Sequence, residues 1–149
     1  MDQMTNPVDA LHGYYFEDLE VGMTEVFAKT VTEADIVTFA GISGDTNPVH
    51  INEEFASKTM FKGRIAHGIL SASFISTVIG TKLPGPGCIY VSQALRFKAP
   101  VKAGDTVNAT CEITNLIPEK KFIELKTQCL VDGKVVIDGE ATIMVPSRG

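Results

Sequence analysis

The sequence of 149 residues has no tryptophan, only three cysteines and no block of like charges. Cys88, Cys111 and Cys129 are odd in number and far apart. With no Cys-x-x-Cys pair and no histidine cluster beside them, they support neither a disulfide framework nor a zinc site. They read as buried thiols in strands, which implies a reducing compartment. No apolar span reaches eighteen residues, and the stretch from Met1 to Pro7 lacks the basic start and apolar run of a signal peptide. A cytoplasmic protein that does not contact membrane is therefore expected. Basic residues are also scarce: 13 lysines and arginines against 18 acidic residues leave a net charge of -5, which argues against nucleic acid as the partner.

The length suits one domain with a sizeable core. Residues 1–13 read as a loose N-terminal tail and 14–149 as the single domain. Alternation over Thr24–Thr30 predicts a first strand, and Thr32 followed by Asp35 resembles a capping box that opens a short helix. The segment from Arg64 to Lys82 is apolar or small almost all round and has no acidic residue, so the pattern predicts a long buried helix. Gly68, Ala72, Ser76 and Gly80 recur every fourth position along it and leave one edge with little bulk. The second half reads as strand after strand, with turns at Gly104-Asp105, Pro118-Glu119-Lys120 and Asp132-Gly133. One strand, helices and then four long strands define an α+β domain in which a curved antiparallel sheet wraps a central helix.

Chemistry is concentrated in Ser43-Gly44-Asp45-Thr46-Asn47-Pro48-Val49-His50. Pro48 fixes its own φ and pushes Asn47 toward extended geometry, so Asp45 and His50 cannot share one continuous helix. A tight turn must arrange them. One carboxylate and one imidazole on such a turn suit acid-base work on a bound water. The structural alternative is that Asp45 or Asn47 caps a helix starting near Pro48, with His50 a passive residue of its first turn. His67 reads as a structural or first-turn residue, and His12 has no evident role.

This loop resembles the signature of the MaoC-like (R)-specific enoyl-CoA hydratases, which have the hot-dog fold. Arg64-Ile65-Ala66-His67-Gly68-Ile69-Leu70 is similar to the start of that family's central helix. Leu83-Pro84-Gly85-Pro86-Gly87 and the stretch from Arg96 to Asp105 also match, and the resemblance covers roughly Gly13 to Val145. It implies a catalytic water between Asp45 and His50, a thioester oxygen held by the Gly68 N–H, and Ser76 hydrogen-bonding near the aspartate, with Asn47 as a further supporting residue. It also implies homodimers with ten-stranded sheets.

The expected reaction is reversible hydration of trans-2-enoyl-CoA to (R)-3-hydroxyacyl-CoA. Asp45 is assigned as base and His50 as the proton donor to Cα, and the sequence leaves the reverse assignment open. No metal or bound cofactor is expected, since the coenzyme A thioester is the substrate. Arg96, Lys98, Lys62 and Lys82 are candidates for its phosphates by position alone. A 3-hydroxyacyl-carrier-protein dehydratase or an acyl-CoA thioesterase on the same fold is the alternative; a central helix without Asp or Glu counts against a thioesterase and against a dehydratase that carries its acid there, while a carrier-protein thioester acted on by the same Asp45 and His50 stays open. The joint presence of Asp45 and His50 counts against a non-catalytic acyl-CoA-binding module.

Overall fold

Inward-facing apolar residues at every second position build the sheet, because strand side chains alternate between faces. The computed structural model of the protein describes residues 6–149. Five strands, β1 (Thr24–Thr30), β2 (Ile89–Phe97), β3 (Thr106–Ile117), β4 (Phe122–Val131) and β5 (Lys134–Met144), form one antiparallel sheet in the order β1-β3-β4-β5-β2. Val107, Ala109, Cys111 and Ile113 of β3 and Ile123, Leu125 and Cys129 of β4 are fully buried. On β5 the inward alternation breaks at its start, where Val136 and Ile137 are both buried while Val135 is only partly so. The register shift opposite Cys129 and Leu130 is the physical reason, since one extra residue reverses the facing of its neighbours. Asp132 and Gly133 turn β4 into β5 with both φ angles positive, 50° and 76°, the geometry that matches strand twist in a tight hairpin.

Helix α1 (Glu33–Ser43) opens on the expected capping box, with Thr32 and Asp35 bonded reciprocally, and ends at Gly44 in the left-handed region at φ 78°. Two single turns follow, α2 (Pro48–Ile51) and α3 (Glu53–Ala56). The long helix α4 covers Gly68–Thr81, shorter at the front than the expected span from Arg64. Neighbouring strands and loops compete for that front segment: the Ile65 N–H donates to the Val49 carbonyl at 3.2 Å and the Ala66 N–H to Val101 at 2.7 Å, which holds it extended. At 14 residues α4 is about 21 Å long. It packs on β1, β3 and β4 through Leu70, Phe74, Ile75, Val78 and Ile79.

Of the expected tail, residues 1–5 lie outside the described residues. Pro7–Leu11 forms an exposed 3-10 turn. From His12 onward the chain is docked: the Gly13 N–H donates to Pro86 at 2.9 Å, and the His12 ring stacks on Tyr15 at 4.1 Å. Cys111 and Cys129 are buried thiols in strands, whereas Cys88 lies one residue before β2 and is only partly buried.

Candidate active site

The α1–α2 turn is held by side chains that bond their own backbone, as Ser, Asp and Asn do where the chain must leave a helix. The Ser43 hydroxyl donates to the Phe39 carbonyl at 2.7 Å and accepts from the Asp45 N–H at 3.1 Å. The Asp45 carboxylate accepts from the Asn47 N–H at 3.3 Å, and the Asn47 side chain accepts from the Val49 N–H at 3.1 Å, capping α2. Asn47 is thus a cap whose side chain is committed to the turn. It fixes Asp45 at the turn and His50 in the single helical turn beyond it.

His50 is 8% exposed and its orientation is set from both sides. Its Nδ1–H donates to the Ile65 carbonyl at 2.8 Å, which leaves Nε2 as the working nitrogen. Arg64 reaches back so that its Nε–H donates to the His50 carbonyl at 2.7 Å, while its terminal nitrogen pairs with Glu33. A carboxylate oxygen of Asp45 and a ring nitrogen of His50 lie within 4.8 Å of each other. Two hydrogen bonds of about 2.8 Å meeting at a tetrahedral oxygen span about 4.6 Å, so the pair is close enough for both groups to reach one water.

His67, 2% exposed, completes the cluster and was not singled out as functional by the sequence. Its Nε2–H donates to the Asp45 carbonyl at 2.9 Å, and its ring stacks on His50 with centroids 3.9 Å apart and planes 28° from parallel. The donors Asp45, His50 and His67 approach one another closely enough to suggest a metal site. Two imidazoles stacked nearly parallel do not aim their in-plane lone pairs at one point, so this arrangement fits a shared ion poorly.

A cavity of about 500 Å³, lined mainly by apolar groups including Phe61, Ile65, Ile69, Phe97 and Val101, reaches the cluster only through Ile65, whose carbonyl holds His50, and Gly68, which follows His67; Asp45, His50 and His67 do not themselves line it. Gly68 forms part of its wall at the first position of α4, and no side chain caps that helix end. The N–H groups of a first helical turn lack intrahelical acceptors and sit at the positive end of the helix dipole, which makes the Gly68 amide a ready donor to a developing oxyanion. A Cβ at Gly68 would lie 2.7 Å from the Phe97 ring, so only glycine lets that ring close over the helix start. Ser71, one turn on, also lines the cavity, although its buried hydroxyl oxygen has no hydrogen-bond partner among the described residues.

The remaining candidates scatter. Ser76 is exposed and stands two turns beyond Gly68, about 12 Å along the helix, so within one chain it does not join Asp45. Lys98 lines the cavity, and Lys62 follows the lining residue Phe61 in a left-handed conformation at φ 62°. Arg96 is already paired with Glu140 at 2.7 Å and Asp138 at 3.7 Å, and these carboxylates, Glu140 first, hold its guanidinium in the charged form. Lys82 lies past the opposite end of α4 and donates to the Val26 carbonyl at 2.7 Å. Lys102, which the sequence did not mark, reaches the Phe61 carbonyl at 3.3 Å and so stands near the cavity wall. No signal in the sequence separates it from other surface lysines.

Comparisons with known proteins agree on a single family. The MaoC like domain matches residues 20–135. An (R)-specific enoyl-CoA hydratase of Rhodospirillum rubrum is 62% identical over 141 residues, covering 95% of this chain and 98% of that protein. A 3-hydroxybutyryl-CoA dehydratase of Methylorubrum extorquens is 52% identical over 90% of this chain and 85% of its own length. Among solved structures, an unliganded R-hydratase of Pseudomonas aeruginosa is 44% identical and superposes with a TM-score of 0.86, covering 91% of this chain and 88% of that one. The sheet laid on one central helix is the hot-dog fold, and the chain belongs to the MaoC-like family.

Proposed function

We propose that this protein is an (R)-specific enoyl-CoA hydratase that adds water reversibly across trans-2-enoyl-CoA to give (R)-3-hydroxyacyl-CoA. The observation that carries the reading is a turn-borne carboxylate and a buried imidazole within 4.8 Å of each other, linked through Ile65 and Gly68 to an apolar cavity with an uncapped helix start in its wall. The similarity to hydratases over nearly the whole chain supports it.

In this reading Asp45 takes a proton from the water as its oxygen bonds to C3. His50, entering the step as an imidazolium, delivers the proton of Nε2 to C2 while Nδ1–H stays on Ile65, and the proton left on Asp45 returns to Nε2 to reset the pair. The thioester oxygen gains negative charge in between and is met by the Gly68 N–H. Both groups act from one side of the double bond, so addition is syn. Hydration causes no net redox change, so the reading calls on no redox cofactor, and the dyad supplies the acid-base chemistry without a metal. Lys98 and Lys62 at the cavity are better placed for coenzyme A phosphates than Arg96 or Lys82.

We also read the protein as a homodimer. β2 lies at the sheet edge with none of its residues buried, and Ile89, Tyr90, Val91 and Phe97 are exposed along it. On α4, Ile69 at 56% exposure and the exposed Ser76 also face away from this chain's core. Pairing two β2 edges would join the sheets of two copies and cover this surface. Sedimentation should then give twice the chain mass.

Crotonyl-CoA tests the activity. Purified protein is expected to consume the enoyl thioester and yield the R product without releasing free thiol. Thiol release without hydration would favour the thioesterase alternative, and turnover confined to carrier-protein thioesters would favour the dehydratase.

A further inference from the structure

We infer that His67 is a positioning residue for the reaction: it fixes the separation between Asp45 and His50 by binding one and backing the other. The inference rests on the reading of Asp45 and His50 as the water-binding pair. Asp45 stands at an exposed turn whose hydrogen bonds are local: its N–H donates to the Ser43 hydroxyl before it, and its carboxylate accepts from the Asn47 N–H after it. Those bonds shape the turn but do not tie it to the rest of the molecule. The tether is His67, whose Nε2–H donates to the Asp45 carbonyl at 2.9 Å across 22 positions of sequence. Because a carbonyl can only accept, this bond fixes the proton on Nε2.

The same ring sits between two others. One face lies against His50, centroids 3.9 Å apart, and Phe39 of α1 packs on it at 4.9 Å with planes tilted by 59°. His67 itself sits immediately before Gly68, so its backbone also leads into the uncapped start of α4. One buried residue therefore links the Asp45 turn and the His50 ring through its side chain and Gly68 through its backbone. Its Nδ1 is buried with no partner among the described residues, an unfavourable state for a ring whose sole duty is packing. A hydrophobic residue would fill the same space without that cost.

Displacing a reacting group by about 1 Å can cost about 100-fold in rate, so loss of the tether should be seen in turnover. His67→Gln keeps an N–H near the position of Nε2, His67→Asn places its amide nearer the position of Nδ1, and His67→Leu has no donor. With crotonyl-CoA, His67→Leu and His67→Asn are expected to lose about 100-fold in kcat while KM changes less than about threefold. His67→Gln should recover to within about tenfold of wild type. Gln and Asn carry the same buried amide, so their contrast stands even if His67→Leu does not fold. A residue that merely packs would lower all three in step with the fraction folded, measured by thermal melts, and Gln would not rescue. That result, or wild-type kcat in His67→Leu, overturns the inference. Asp45→Asn and His50→Ala run in parallel identify the source of failure. If both remain active, the dyad reading falls and takes this inference with it; if both are inactive while His67→Leu is not, only the role of His67 falls.

Discussion

The two ends of α4 satisfy their backbone groups in different ways. At its C-terminal end the backbone closes on itself: the Lys82 and Leu83 N–H groups both donate to the Val78 carbonyl at 2.9 and 2.8 Å, and the Gly85 N–H donates to Ile79 at 2.9 Å. The docked segment from Gly13 then seals this end. At the N-terminal end no side chain caps the first turn, Gly68 is exposed, and a cavity of about 500 Å³ adjoins it. Helix ends that matter only for stability satisfy their orphan groups, while an end that binds charge leaves them available. By that criterion one end of α4 anchors the fold and the other is left available to a ligand.

Substitutions at the two ends should separate activity from stability. The largest effect is expected at the dyad: Asp45→Asn should lower kcat/KM by about 1,000-fold, within the range for loss of an acid-base group. Because Asp45 is exposed, its melting temperature should stay close to wild type. Next, Gly68→Ala puts a methyl group 2.7 Å from the Phe97 ring and forces that ring to move at the cavity wall. Activity should fall by about 100-fold from the displaced geometry. Wild-type activity in either variant would break the assignment of chemistry to this end.

The opposite pattern is expected at the anchoring end. A Cβ at Gly13 would sit 2.2 Å from the Pro84 carbonyl oxygen, a backbone atom that cannot swing aside. Gly13→Ala should cost about 1–3 kcal/mol in denaturant unfolding while kcat stays within about twofold. The smallest effect concerns pH. Burial pushes the thiols of Cys111 and Cys129 up to about 12 from an ordinary 9.0. The folded state thus keeps protons that the unfolded chain releases, so this contribution is complete below pH 9 and is lost progressively as pH rises toward 12. Two such thiols cost about 1 kcal/mol by pH 9, with more lost above it. Cys129 lies under the first turns of the helix, where its Sγ–H donates to the Ser71 carbonyl at 3.4 Å. Alkaline unfolding measured by denaturant titration should therefore follow the core, and a loss of activity at lower pH should be ascribed to the site.

The sequence made the elements legible where local chemistry dominates. Thr32 and Asp35 cap α1, Asp132-Gly133 turns the last hairpin, and alternation marks the long strands, because each depends on residues close in sequence. The start of α4 was misplaced by four residues, since Ile65 and Ala66 bond to Val49 and Val101, partners that no local pattern reveals. The Asp45 and His50 loop stood out by its spacing and its resemblance to a family. His67 did not, because its contacts with Asp45, His50 and Phe39 come from segments brought together only by folding. Position alone also overvalued Arg96 and Lys82, whose partners are set by strand register and by the course of the chain.

The claim that Asp45 and His50 grip one water on one face of the substrate is tested most directly by hydrating crotonyl-CoA in deuterium oxide and determining the configuration at both new centres. An R alcohol at C3 and a single deuterium at C2 added to the same face are expected. An S alcohol, or deuterium delivered to the opposite face, would contradict the claim.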